Sequence, residues 1–336
     1  MTTAKTKFEF IVEDGLNLSQ EVPDKVDWLV EGLIPKEGLT LIGSKPKAGK
    51  STLVTQLLVD IAEGRPFLGR GTKRVDCLHL HLEGPKAYPG MRFKELGHTR
   101  AHGKIDVFRR TMPKTLDEGL DALMAFFTAK PNFKVLTIDT LPKLLRLMDS
   151  DKYDQTVLAM ERLEKLAQYF HIQIISAVHA KKRAGDEPGD SLLGSTAFRA
   201  ASDTNIFLTR DGDQRIISTE QRLGEHLEPH QLNLDRDTKT LSLGKSIEEI
   251  ESKRESGTKV TRQRIESALV GKLLESGRLS QTDLAKNSET KVTGKAETII
   301  SVLDELEALG RLAVVEEGLK KWYSLAVIEI ETEKAA

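Results

Sequence analysis

The run Ser44-Lys-Pro-Lys-Ala-Gly49-Lys50-Ser51 constrains this chain more than any other feature of it. It follows the β-like run Leu39 to Ile42 and opens the helix-like run Lys50 to Ala62. A glycine, a lysine and a hydroxyl residue placed between a strand and a helix have the form of a phosphate-binding loop. Backbone N–H groups at such a helix start face an anion, the lysine reaches the outer phosphates, and the hydroxyl holds Mg²⁺. The candidate loop residues are Gly43, Ser44, Lys45, Pro46, Lys47, Ala48, Gly49, Lys50, Ser51 and Thr52. A glycine usually opens the loop; here Ser44 stands at that position, with Gly43 one residue earlier.

A strand–loop–helix unit needs neighbours to bury its apolar faces. From Val26 to about Gly244 the chain supplies them. β-like runs at Val75–Leu82, Ile105–Phe108, Val135–Ile138, Ile172–Val178 and Asn205–Leu208 alternate with helical patterns at Leu116–Ala129 and Tyr153–Tyr169. That alternation is the signature of an α/β fold with a mainly parallel central sheet. Short strands follow at Arg215–Thr219, Leu232–Asn233 and Leu241–Leu243.

Composition narrows the function classes. A chain of 336 residues has room for about two domains. No apolar run approaches the roughly 20 residues that span a bilayer. Residues Met1 to Val12 lack a secretory pattern, and the lone Cys77 precludes an internal disulfide, so a cytoplasmic setting is expected. With 50 basic and 51 acidic residues, any nucleic-acid site must be a local patch. Aromatic residues at 5% argue against a broad base-stacking platform.

Three further features gather around the loop in sequence order. Val135-Leu-Thr-Ile-Asp139 is a β-rich run ending in a carboxylate, suited to holding Mg²⁺. Glu83 directly follows Leu78-His-Leu-His-Leu82 and could polarise an attacking water. His79 and His81 share one face of that strand and read as packing residues, since no third ligand lies nearby. His179 ends the run Ile172–Val178 and could sense a γ-phosphate. Lys181, Lys182 and Arg183 follow it in a Gly/Asp/Pro-rich stretch, either a solvated loop or a contact to a nucleic-acid backbone.

Taken in this order, the residues resemble the RecA-like P-loop ATPase core. Trp28-Leu-Val-Glu-Gly-Leu-Ile-Pro, the phosphate loop and Gly64-Arg-Pro-Phe-Leu-Gly69 are similar to the branch containing plasmid RepA-type hexameric replicative helicases. The resemblance covers about residues 26 to 244. It implies that Lys50 and Ser51 bind ATP and Mg²⁺, that Asp139 is the Walker B acid, Glu83 the catalytic base and His179 the γ-phosphate sensor. Relatives of the DnaB type carry a Lys-x-Arg pair that reaches a neighbouring subunit's site. The matching segment is Glu220-Gln-Arg222-Leu-Gly224, which makes Arg222 the candidate arginine finger, with Glu220 in place of the lysine and with Arg199 and Arg210 as competitors. Residues 180 to 195 match the position of the channel loop that grips single-stranded DNA. The implied protein is a hexameric motor on single-stranded DNA, in replication of a plasmid, phage or similar element. A nucleotide-switched regulator and a recombination mediator are the alternatives.

The remainder divides into a linker at 245–258, a small domain at 259–327 and a tail at 328–336; residues 1–25 form an N-terminal arm. Ile265, Leu269 and Leu273 give a first helix, Ser280-Gln-Thr-Asp283 starts a second, and Ile299, Ile300, Leu303 and Leu306 mark a third that stops at Gly310. Leu312–Val315 and Lys320–Leu325 read as a β-hairpin, so the spacing predicts a winged helix. Lys291, Thr293, Lys295 and Thr298 would then begin a recognition helix, with Lys320 and Lys321 on the wing and Trp322 and Tyr323 in the hairpin core. With 11 Lys/Arg against 10 Asp/Glu over Lys259 to Val327, the domain suits duplex DNA or a protein such as a primase or replication initiator equally well.

Overall fold

The computed structural model describes residues 12–21, 25–110, 115–145, 153–179, 196–285 and 295–326. The chain forms two compact units, Met1–Ile247 and Glu248–Ala336. In the N-terminal arm, Gly15–Glu21 form a short helix, α1. Strands β1 (Trp28–Val30) and β2 (Ile34–Pro35) pair antiparallel in front of the main sheet.

The main sheet of the first unit is built from β3 (Gly38–Ser44), β4 (Asp76–His81), β5 (Ile105–Phe108), β6 (Phe133–Asp139), β7 (Gln173–His179), β8 (Thr204–Asp211), β9 (Gln214–Gln221), β10 (His230–Leu234) and β11 (Leu241–Ser246). Its spatial order is β11-β10-β9-β8-β3-β7-β6-β4-β5. The six strands from β8 to β5 run parallel, and β9, β10 and β11 continue the sheet by antiparallel pairing. The short runs expected after residue 209 are thus the sheet's own extension. Crossover connections carry helices α2 (Lys50–Glu63), α3 (Tyr88–Glu95), α4 (Leu116–Ala129), α5 (Leu141–Leu145), α6 (Tyr153–Phe170) and α7 (Thr196–Ala201).

Strand parity decides which core each side chain joins. On β7, Ile174 packs with α4, α5 and α6, while Ile175 packs with α2 on the opposite face. A parallel sheet covered on both sides needs apolar residues at consecutive positions, which is why its strands read as continuous Val/Ile/Leu runs. Local signals set the helix limits. Thr115 and Glu118 form a reciprocal capping box at the start of α4. Gly64 ends α2 in the left-handed conformation at φ 69°.

The second unit begins with a long helix, α8 (Ile247–Ser276). The stretch 245–258, expected as a linker, is therefore the end of β11 and the first three turns of α8. Its Glu, Lys and Arg residues are good helix formers, and Glu249 and Lys253 stand at the favourable i, i+4 spacing. After α8 come β12 (Arg278–Ser280), α9 (Gln281–Ala285), α10 (Ala296–Ala308) and the hairpin β13 (Leu312–Glu317) and β14 (Lys320–Leu325). Ser280 Oγ accepts the Asp283 N–H at 3.2 Å, the expected cap. The three strands form a sheet in the order β12-β14-β13 over a core of Ile265, Leu269, Leu303 and Tyr323. Trp322 departs from expectation. Adjacent residues on a strand face opposite ways, so with Tyr323 fully buried Trp322 lies on the outer face, its ring 5.1 Å from the Arg278 guanidinium carbon.

Gln56 ties the two parts of the first sheet together. From α2 its side-chain amide donates to the Leu241 carbonyl at 3.0 Å and accepts the Leu241 N–H at 2.6 Å, both buried. Gln56→Ala strands both backbone groups, and we expect it to lower unfolding stability by about 2 kcal/mol, measured by urea denaturation, with the secondary-structure content unchanged.

Candidate functional site

The site lies at the carboxyl ends of the parallel strands, where open α/β sheets place their ligands. β3 ends at Ser44 and the chain turns through Lys45–Gly49 into α2. Gly49, the residue before the helix, has φ 113°, a conformation an L side chain rarely adopts. Lys47 is also left-handed at φ 64°. The Lys50 ammonium folds back over the loop and donates to the Ser44 carbonyl and to Ser44 Oγ, each at 3.1 Å. The serine that replaces the usual opening glycine is buried and supplies one of these acceptors.

β6 brings Asp139 to the start of α2, and Ser51 Oγ donates to Asp139 Oδ2 at 2.8 Å. Burial lifts the Asp139 carboxyl above the usual carboxylate range, against the pull of this hydrogen bond. Burial also draws the Lys50 ammonium down to about 8, while the Asp139 and Glu83 carboxylates favour its charged form. A buried carboxylate beside a hydroxyl is a donor set suited to Mg²⁺, which takes one or two carboxylates and completes its shell with phosphate oxygens and water. Among the described residues there is no cluster of three or more His, Cys, Asp or Glu that could hold a metal without such a ligand.

Glu83 sits on the loop after β4, and its Oε2 accepts the Thr140 hydroxyl at 3.1 Å. Lys50, Ser51, Glu83, Asp139 and Thr140 thus line one cleft of about 430 Å³. The two histidines of β4 part company. His79 is sealed against Thr137 Oγ1 at 2.7 Å, and burial pushes it down to about 3, so it packs as a neutral ring. His81, expected only to pack, lines the cleft, with Nε2 3.1 Å from the Pro85 carbonyl and its ring stacked against Tyr88.

His179 ends β7, and its backbone lies in register beside Ser44. Lys181, Lys182, Arg183 and Lys291 lie outside the described residues. Lys295 is exposed immediately before α10. Arg222 lies just after β9, at the other end of the sheet, where it pairs with Asp203 at 3.4 Å and donates to the Ala200 carbonyl. The Trp28 ring rests against Gly224, where a Cβ would meet it at 2.9 Å, so two segments of the resemblance touch. Of the competing arginines, Arg199 forms a two-point pair with Glu220 at 2.7 and 2.6 Å, and Arg210 donates to the Lys47 carbonyl of its own loop at 3.4 Å. Thr140, Tyr88 and Arg215 line the cleft without having been singled out from sequence. Thr140 follows the strand carboxylate directly and could have been found; the other two carry no local signal.

The sequence matches a family described as an AAA domain over residues 5–185. No curated protein matches the chain. Among solved structures, the chain is similar to a KaiC-like protein from the hyperthermophilic archaeon Pyrococcus horikoshii OT3. The identity is 15% over 66% of this chain and 99% of that chain, with a TM-score of 0.49.

The depressed Lys50 pKa has a direction that can be tested. A lysine that loses its proton near pH 8 in the empty site must regain it to pair with phosphate, so nucleotide affinity falls as pH rises above about 8. The same group lets the unfolded chain hold more protons between about pH 8 and its ordinary value of 10.5, so its burial penalty on folding is relieved as pH rises through that window. Calorimetric titration of nucleotide from pH 7 to 9.5 should show the affinity loss, and Lys50→Ala should abolish the dependence together with most of the binding.

Proposed function

The chain belongs to the AAA domain family and its core is a RecA-like P-loop ATPase; from that premise we propose that it is a hexameric motor, driven by ATP with Mg²⁺, that moves along single-stranded DNA. The reading extends to a replicative helicase of a plasmid, phage or similar mobile element. No helix among the described residues is long and apolar enough to cross a membrane, and the protein is taken to act in the cytoplasm.

The observation that carries this reading is the place of β7. It lies directly between β3, which ends in the phosphate loop, and β6, which ends in Asp139. In the sequence, Lys181–Arg183 begin two residues after His179, the last residue of that strand. A DNA-gripping loop launched there is coupled through one short strand end to the state of the γ-phosphate, with His179 at the junction. Arg222 faces away from its own cleft, in keeping with a finger that serves a neighbouring subunit in a ring.

The chemistry follows from the side chains. Glu83, held by Thr140, accepts the proton of the water that attacks the γ-phosphate. Lys50 leaves Ser44 for the β- and γ-phosphate oxygens and offsets the charge that gathers there. Ser51 and Asp139 would hold Mg²⁺, which would supply positive charge to offset that of the phosphates. Arg222 of a neighbouring copy would stabilise the transition state from outside. In the second unit, the order of three helices and a hairpin supports a winged helix for duplex DNA or for a primase or initiator. Lys295 begins α10, and Lys320 and Lys321 lie on the hairpin.

The test is ATP turnover with and without single-stranded DNA. We expect single strands to raise turnover at least tenfold, Glu83→Gln to reduce it by about 10²–10⁴-fold while ATP still binds, and Arg222→Ala to abolish the stimulation. Turnover indifferent to single strands, with tight site-selective duplex binding, would instead make the protein a nucleotide-switched regulator.

A further inference from the structure

Strands β8 and β9 place Arg210 and Arg215 directly opposite one another. Like charges facing each other across an antiparallel pair are destabilising. Arg210 disperses its charge locally: Nε donates to the Gly212 carbonyl at 2.8 Å, Nη1 to the Lys47 carbonyl at 3.4 Å, and Nη2 lies 3.6 Å from the Asp213 carboxylate. The Arg215 side chain makes no hydrogen bond or ion pair among the described residues. It is nevertheless half-buried, with Nε 3.8 Å from where a Cβ on Gly49 would stand.

Two hollows meet at this residue. Arg215 lines the phosphate cleft together with Lys47, Gly49 and Thr52. It also borders a polar hollow of about 340 Å³, but in the β9–β10 register Arg215 stands opposite Leu232, so its side chain leaves the sheet on the α2 face and those of Gln231 and Asn233 on the other. The sheet order gives the direction. Glu83 and Asp139 approach the loop from the β4 and β6 side, whereas β8 and β9 lie on the other side of β3. The reacting end of a phosphate chain lies toward Glu83, so the chain's other end runs toward Arg215.

We propose that Arg215 is a nucleotide contact made within the same subunit, on the side of the phosphate loop away from Glu83. The inference rests on reading the cleft as an ATP site. The guanidinium presents a planar pair of donors to phosphate oxygens, an interaction that also relieves its opposition to Arg210.

The experiment compares binding of ATP, ADP and bare tripolyphosphate to the full chain and its variants by calorimetry. A charge-assisted hydrogen bond of the usual strength corresponds to about 10–100-fold in affinity, and Arg215→Gln should weaken all three ligands by that factor. Without ligand, the melting temperature of Arg215→Gln should be unchanged or slightly higher, because one of two opposed cations is gone. Wild-type affinity in Arg215→Gln, or a lower ligand-free melting temperature that accounts for the lost binding, overturns the arginine contact. If Lys50→Ala binds ATP like wild type, it is the reading of the cleft itself that fails.

Discussion

A lysine ammonium buried where a parallel sheet meets a helix start is the group around which the first unit is arranged. Lys50 is almost wholly out of water, and desolvating an ammonium is unfavourable unless acceptors and countercharge are supplied. The fold supplies them from three directions: the carbonyl and hydroxyl of Ser44 from β3, the Asp139 carboxylate from β6 and the Glu83 carboxylate from the loop after β4. Each arrives only if its strand ends at the same edge of the sheet, which a parallel arrangement guarantees and an alternating one does not. The Ser51–Asp139 bond then fixes the helix start to β6. The residues that make the site costly in the absence of ligand are those that make phosphate and a divalent cation welcome there.

That same parallel arrangement is what made the core readable from sequence. β5 and α4 fall on the expected residues, and the expected β3, β4, β6, β7 and α2 lie within one or two residues of the observed ones. Strands buried on both faces must be apolar at consecutive positions, and the intervening helices must be apolar on one face, so the two periods alternate unmistakably. The antiparallel extension is harder to read. On β9 only Ile217 and Thr219 are buried, so the pattern is short and diluted by polar residues, and its membership of the main sheet depends on pairing with β8 far more than on its own composition.

Local signals were also misleading where a side chain's role depends on which way it faces. Lys245 to Thr258 has few apolar residues, which suggests a linker, yet helix propensity and i, i+4 pairs act without burial and the segment is helical. Trp322 and Tyr323 both look like core residues until strand parity is applied, after which only one of them can be. His79 and His81 share a face of β4, but one is covered by β6 and the other reaches the strand's end, so the second opens onto the cleft. For the tryptophan and the two histidines the distinction is not a matter of residue type; it is set by what lies beside the strand.

β9 shows how far such placement carries. It begins beside the phosphate loop, where Arg215 faces Gly49, and the chain leaves it at Arg222, beside the amino end of β3. Seven residues of extended chain span roughly 23 Å, more than an arginine side chain can bridge. One strand therefore carries two arginines that cannot serve the same phosphate chain. Arg222 does not reach the nucleotide its own loop would hold, and its guanidinium is held by Asp203 and the Ala200 carbonyl. Arg215 has no such tether, and the nearest place for an anion is the loop beside it. The length of a single strand thus separates an arginine beside the phosphate loop from one at the opposite end of the sheet.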